Sequence, residues 1–151
     1  MATRSRIGIM NDDGSVLSIY CHWDGYLSNN GKILLAHYTD EKKIRELMAL
    51  GDISSLGAEI GVKHPFKPPS YNSPELEEYE KKYGHMCVAY NRDRGENNTA
   101  AKLSRDVAGF TMLSEEFNYL FAEGQWTVDF WDRPRMLLRD AVETKADTDL
   151  S

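Results

Sequence analysis

The chain has 151 residues, 41% hydrophobic and 28% charged, which suits one globular domain able to bury a core without metal or disulfide staples. Its net charge is −6, and half of that excess sits after Arg139, where Asp140, Glu143, Asp147 and Asp149 are met only by Lys145. The remainder is nearly balanced, which argues against a nucleic-acid binder with its basic footprint, and no apolar run reaches the ~18 residues of a membrane span.

Residues 6–10 read as a short strand, and Asn11-Asp12-Asp13-Gly14-Ser15 as a turn. Residues 16–23 alternate, with Leu17, Ile19, Cys21 and Trp23 on one face and Ser18, Tyr20 and His22 on the other. The first face predicts core and the second a wetter surface. Asn29 or Asn30 caps a short helix to about Tyr38. Thr39 or Asp40 caps a second over residues 41–50, with Ile44, Leu47 and Met48 as its apolar stripe and Gly51 as its stop. Residues 64–73 carry Pro65, Pro68 and Pro69 and read as a long loop. Ser73-Pro74-Glu75 opens a polar helix to about Lys82, with Leu76, Tyr79 and Tyr83 facing inward.

Residues 85–90 read as a central strand, and residues 91–98 as a charged loop. Residues 100–110 are mixed, a helical turn or a further strand. Residues 117–121 and 126–131 flank Glu123-Gly124 as a hairpin with aromatic cross-strand pairs, although Ser114-Glu115-Glu116 also resembles a helix cap. Residues 133–144 predict a terminal helix and residues 145–151 a disordered tail. The expected fold is therefore one α+β domain over residues 1–144, an antiparallel sheet of about five strands with helices inserted after the first hairpin. Its core would hold Leu17, Ile19, Trp23, Ile44, Leu47, Val88, Tyr119, Trp126 and Val128.

Four segments carry a resemblance. They are Ser5-Arg6-Ile7-Gly8-Ile9, Ser18-Ile19-Tyr20-Cys21-His22-Trp23-Asp24-Gly25-Tyr26, Leu50-Gly51-Asp52-Ile53-Ser54-Ser55-Leu56-Gly57 and Tyr90-Asn91-Arg92-Asp93-Arg94-Gly95-Glu96. Together they resemble a small uncharacterised protein of tailed bacteriophages and prophages, over most of the chain to about residue 131. The resemblance brings no catalytic residues. It implies a viral origin and action inside a bacterial cell, in the host cytoplasm.

The residues themselves offer three places for binding. In the first, Tyr20, His22, Asp24 and Tyr26 surround the end of the second strand. His22 and Asp24 would share a face as an oriented imidazole for base chemistry; the plainer reading has His22 bonding a loop and Asp24 shaping the turn. Cys21 and His22 lie on opposite faces and cannot ligate one metal from a regular strand. In the second, Arg92 and Arg94 would grip a phosphate or a carboxylate bidentately, or instead form an internal ion-pair loop with Asp93 and Glu96. In the third, Phe66 and Tyr71 on the stiff proline loop suit a protein contact surface, or fold back as a lid.

No His or Cys spacing matches a metal motif, His85 and Cys87 being the nearest approach, and the Asn11–Gly14 turn lacks the distal Glu of a calcium loop. No metal and no cofactor are expected. With only two cysteines and no secretory leader, Cys21 and Cys87 read as buried free thiols. Size, charge and the resemblance point to a phage-encoded binding protein that antagonises a host factor or defence system. Its partner would be a host bacterial protein or a sequestered small signalling nucleotide, with a homo-oligomer left open. The alternatives are a small nucleotide- or phosphodiester-processing enzyme built on His22, Asp24, Arg92 and Arg94, and a nucleic-acid binder using Arg92, Arg94 and Arg105.

Overall fold

The structure, a computed structural model, describes residues 2–148. Its first part comprises β1 (Ser5–Met10), β2 (Val16–Cys21), a π-turn (Leu27–Gly31) running into α1 (Lys32–His37), α2 (Glu41–Leu50) and β3 (Ile53–Ser55). The middle comprises α3 (Glu75–Tyr83), β4 (Val88–Ala89), α4 (Tyr90–Arg94), β5 (Lys102–Ser104) and α5 (Val107–Met112). β6 (Phe117–Ala122), β7 (Gln125–Phe130), β8 (Met136–Leu137), α6 (Leu138–Glu143) and a 3-10 turn (Ala146–Thr148) complete it.

Two hairpins organise the sheet. β1 and β2 pair antiparallel with Ile7 opposite Ile19, and Asp13 fixes their turn by accepting the Ser15 amide at 3.0 Å. β6 and β7 pair across Glu123 and Gly124, both at positive φ, as a two-residue hairpin turn of this twist requires. The hairpins join through β1 and β6, which run parallel with Ile7 opposite Tyr119. The full order is β4-β3-β2-β1-β6-β7-β8, and β5 pairs with the start of β2 while β3 pairs with its end.

One face of this sheet is the main core. Ile7, Ile9, Ile19, Tyr119 and Val128 meet Leu34 of α1, Ile44 and Leu47 of α2 and Leu138 of α6, all fully buried. Each such aliphatic side chain contributes about 1.5–3 kcal/mol by leaving water. Tyr38 and Trp126 tie the helices to the sheet, the Trp126 Nε1–H donating to the Tyr38 carbonyl at 2.8 Å. After α2 the chain turns at Gly51, whose φ is +75°; a Cβ there would lie 2.2 Å from the Thr99 carbonyl oxygen, so glycine is required.

The opposite face is polar. α5 covers one end of it, packing Phe110 on Val16 and Leu120. Elsewhere buried Arg6 donates to the Ser18 hydroxyl at 2.8 Å, and Asn118 donates to Asp129, which also pairs with Arg135. Burial pushes the Arg6 guanidinium below its ordinary pKa, with Asp52 and Glu115 opposing.

Several sequence expectations are corrected here. The sheet is mixed and eight-stranded rather than antiparallel with about five strands. Strands of two or three residues, such as β3, β4, β5 and β8, show no alternation to read, and the parallel β1–β6 and β2–β3 pairings leave no hairpin signature. The expected central strand at residues 85–90 shrinks to β4, at the sheet's margin. The terminal helix starts only at Leu138, because Met136 and Leu137 first pair with β7. Trp23 is 44% exposed, since β2 ends at Cys21 and leaves it on the rim, and Val88 is only half-buried. Residues 146–148, expected to be disordered, form a turn in which Ala146 is buried and Asp147 accepts the Leu27 amide at 3.0 Å. The rest of that expected tail, residues 149–151, lies outside the described residues. Among the described residues, no helix is long and apolar enough to cross a membrane.

Candidate functional site: an aromatic cleft beside the β4 edge

α3 follows the sequence signals closely. The Ser73 hydroxyl accepts the Glu75 amide at 3.2 Å, and three glutamates occupy the first turn, where they complement the helix dipole. Its apolar stripe of Leu76, Tyr79 and Tyr83 is only half-buried, and none of its nine residues is buried. The stripe forms one wall of an open cleft of about 550 Å³. The proline loop, with Phe66, Pro68 and Tyr71, forms another, and Ser54, Met86 and Val88 form the floor.

The loop is held in place by three successive residues. His64 is buried, donates its amide to Asp93 at 3.2 Å, and stacks on Tyr83 with centroids 5.1 Å apart. The Pro65 carbonyl accepts the Tyr79 hydroxyl at 2.6 Å. Phe66 packs on Tyr90 at 5.6 Å, and the Arg94 guanidinium lies over the Phe66 ring at 4.4 Å. Beyond these anchors Tyr71 projects, 88% exposed.

The two arginines have different positions. Arg92 is engaged inside the protein: its guanidinium donates to the Ile60 and Cys87 carbonyls, each at 2.7 Å, and to the Asp93 carboxylate. Arg94 is half-exposed, pairs with Glu96, and covers Phe66 and Tyr90. Gly95 stops this turn in the left-handed region, at φ +70°.

At the end of β2, Tyr20 and His22 join through the Tyr20 hydroxyl and His22 Nδ1 at 2.7 Å, and Trp23 meets the His22 ring edge-on at 4.8 Å. Asp24 does not orient His22. Its carboxylate accepts the Tyr26 hydroxyl at 3.3 Å, and its φ of +56° turns it away from the strand. Trp23 donates its amide to the Ser54 carbonyl, which places this cluster next to the cleft floor.

Phe66 and Tyr71 thus line the cleft, Arg94 lies over the Phe66 ring without lining it, Tyr20 and His22 lie beside it, Asp24 and Tyr26 occupy the rim of the sheet, and Arg92 is interior. The sequence reads Tyr79 and Tyr83 as an inward-facing stripe; the structure leaves them half-buried in the cleft lining, and the signal for this was an aromatic stripe on an otherwise strongly polar helix. Both thiols are buried, and burial pushes Cys21 up to about 11 and Cys87 up as well. Among the described residues, no three His, Cys, Asp or Glu side chains cluster as metal ligands. No protein-family model matches this chain, and no curated protein or solved structure matches it either.

Proposed function

We propose that this is a binding protein of a tailed bacteriophage or prophage, which antagonises a host factor or defence system in the host cytoplasm by docking a host protein in the aromatic cleft. The viral origin rests on the sequence resemblance. The docking surface rests on one observation: α3 turns Leu76, Tyr79 and Tyr83 toward an open cleft. A polar helix of nine residues gains little stability by itself, so its apolar stripe needs a packing partner. Aromatic side chains anchored on a stiff loop offer a large contact area at low entropic cost.

The test is affinity capture from the bacterial host with tagged wild-type protein and with a Tyr71→Ala, Tyr83→Ala variant, with mass analysis of any small molecule released on denaturation. A stoichiometric protein held by wild type and lost from the folded variant supports the reading. Equal capture by both proteins removes the cleft from it. A released nucleotide transfers it to ligand sequestration.

A further inference from the structure

Three features define what the cleft accepts. The first is the condition of the neighbouring strand. β4 lies at the end of the sheet, where an extended peptide would ordinarily add as a further strand. Here three backbone groups along that edge, at Cys87 and Ala89, are already taken. Cys87 donates its amide to the Glu59 carbonyl at 2.9 Å, the Cys87 carbonyl accepts Arg92, and the Ala89 amide donates to Asp93. A peptide in the cleft therefore has no ladder to join and must bind without one.

The second feature is the lining. Tyrosine, phenylalanine and proline side chains form ridges, and among the described residues the hydroxyls of Tyr71 and Tyr83 donate to no internal acceptor. A polyproline II helix has no internal hydrogen bonds and carries outward carbonyls, which such hydroxyls satisfy, while its proline rings fill the spaces between aromatic ridges. The third feature is charge. Glu80 is the charged side chain lining the cleft, and α3 carries four glutamates against two lysines. Lys81 is paired with Glu77, and Lys82 lies over the Tyr83 ring at 5.7 Å.

We infer that the cleft takes a proline-rich segment in the polyproline II conformation that carries a basic residue, its prolines seated between Tyr71, Tyr83 and Phe66 and its cation at Glu80. This rests on the docking function proposed above and specifies its partner.

The experiment is calorimetric titration of the full chain with three short synthetic peptides. One has Pro-X-X-Pro repeats flanked by arginine, one has the prolines replaced by glycine, and one has the arginines replaced by glutamate. The first is expected to bind saturably. The glycine peptide is expected to bind about tenfold more weakly through its ordering cost, and the glutamate peptide weaker still. Tyr83→Phe keeps the ring on His64 and removes only the hydroxyl; it and Glu80→Gln should each weaken the first peptide by about fivefold at unchanged melting temperature. Absence of saturable binding by the first peptide overturns the inference. So does equal affinity for the glycine peptide, or indifference to both substitutions. If these fail while host-protein capture still depends on Tyr71 and Tyr83, the docking function stands and only the ligand class is wrong. If capture also ignores those residues, both fail.

Discussion

The Asp93 carboxylate accepts the Ala89 amide at 2.8 Å, so a side chain closes the last strand of the sheet where a backbone neighbour would otherwise sit. The same carboxylate accepts the His64 amide and pairs with Arg92. One buried acidic residue thereby joins the sheet edge, the root of the proline loop and the first turn after β4. This junction ties the root of the proline loop, one wall of the cleft, to the sheet edge.

Asp93 should control part of the acid stability. Burial raises its carboxyl pKa, but hydrogen bonds from Arg92, Ala89 and His64 outweigh burial, so it titrates below the ordinary carboxylate range. A depressed folded-state pKa stabilises the fold above the unfolded value of about 3.9, and that contribution is lost as pH falls through the folded value. Denaturant titrations of wild type and Asp93→Asn are expected to show the variant less stable at pH 7 and flatter below about pH 4. Parallel pH profiles for the two proteins would contradict this role.

Arg92 and Arg94 should separate by readout. Arg92→Ala strips donors from two carbonyls and leaves Asp93 a buried, weakly compensated charge, a loss of about 3–5 kcal/mol in chemical denaturation. Arg94 is half-exposed, and Arg94→Ala should stay within about 0.5 kcal/mol of wild type. Its effect is expected in partner binding, because its guanidinium covers Phe66 at the cleft wall. Similar stability losses in both variants would show that Arg94 is structural too.

Ile53 and Val88 give a paired test of the sheet. Ile53 is fully buried beside Cys21, and Ile53→Asp should abolish the cooperative melt by burying an unpaired charge at a cost of several kcal/mol. Val88 is on the half-open side that lines the cleft, so Val88→Asp should remain folded, with a loss of about 1–2 kcal/mol. Unfolding in the second variant would place Val88 in the core and close the cleft floor.

The thiols report global unfolding. Cys21 and Cys87 are buried with raised pKa values, so a thiol reagent at pH 8 should label neither at a measurable rate in the native protein. Both should react together as denaturant crosses the unfolding midpoint. Rapid native labelling of Cys87 would reveal local opening of the β4 margin.

The local elements were legible in the sequence because their signals are local. Asp40 caps α2 and Gly51 ends it as the residue types require. Ser73 and Pro74 open α3, and both long hairpins follow from alternation and turn residues. Phe66 and Tyr71 were legible as aromatics on a proline-stiffened loop, and the structure places both in the lining of the cleft.

Tertiary structure alone decided the rest. Alternation assigns a residue to a face but carries no information about which strand lies alongside or in which direction, so the parallel pairing of β1 with β6 had no local signature. The same holds for Arg92 and Arg94. Two arginines separated by one residue look equivalent in sequence, yet the helical turn of α4 directs one to the Ile60 and Cys87 carbonyls and leaves the other over Phe66. Tyr79 and Tyr83 read as facing inward because an aromatic stripe on a helix usually meets a sheet. Here the proline loop, held by Asp93 and Tyr79, stands off α3 and leaves that stripe facing a cleft, an outcome set by contacts between segments far apart in the chain.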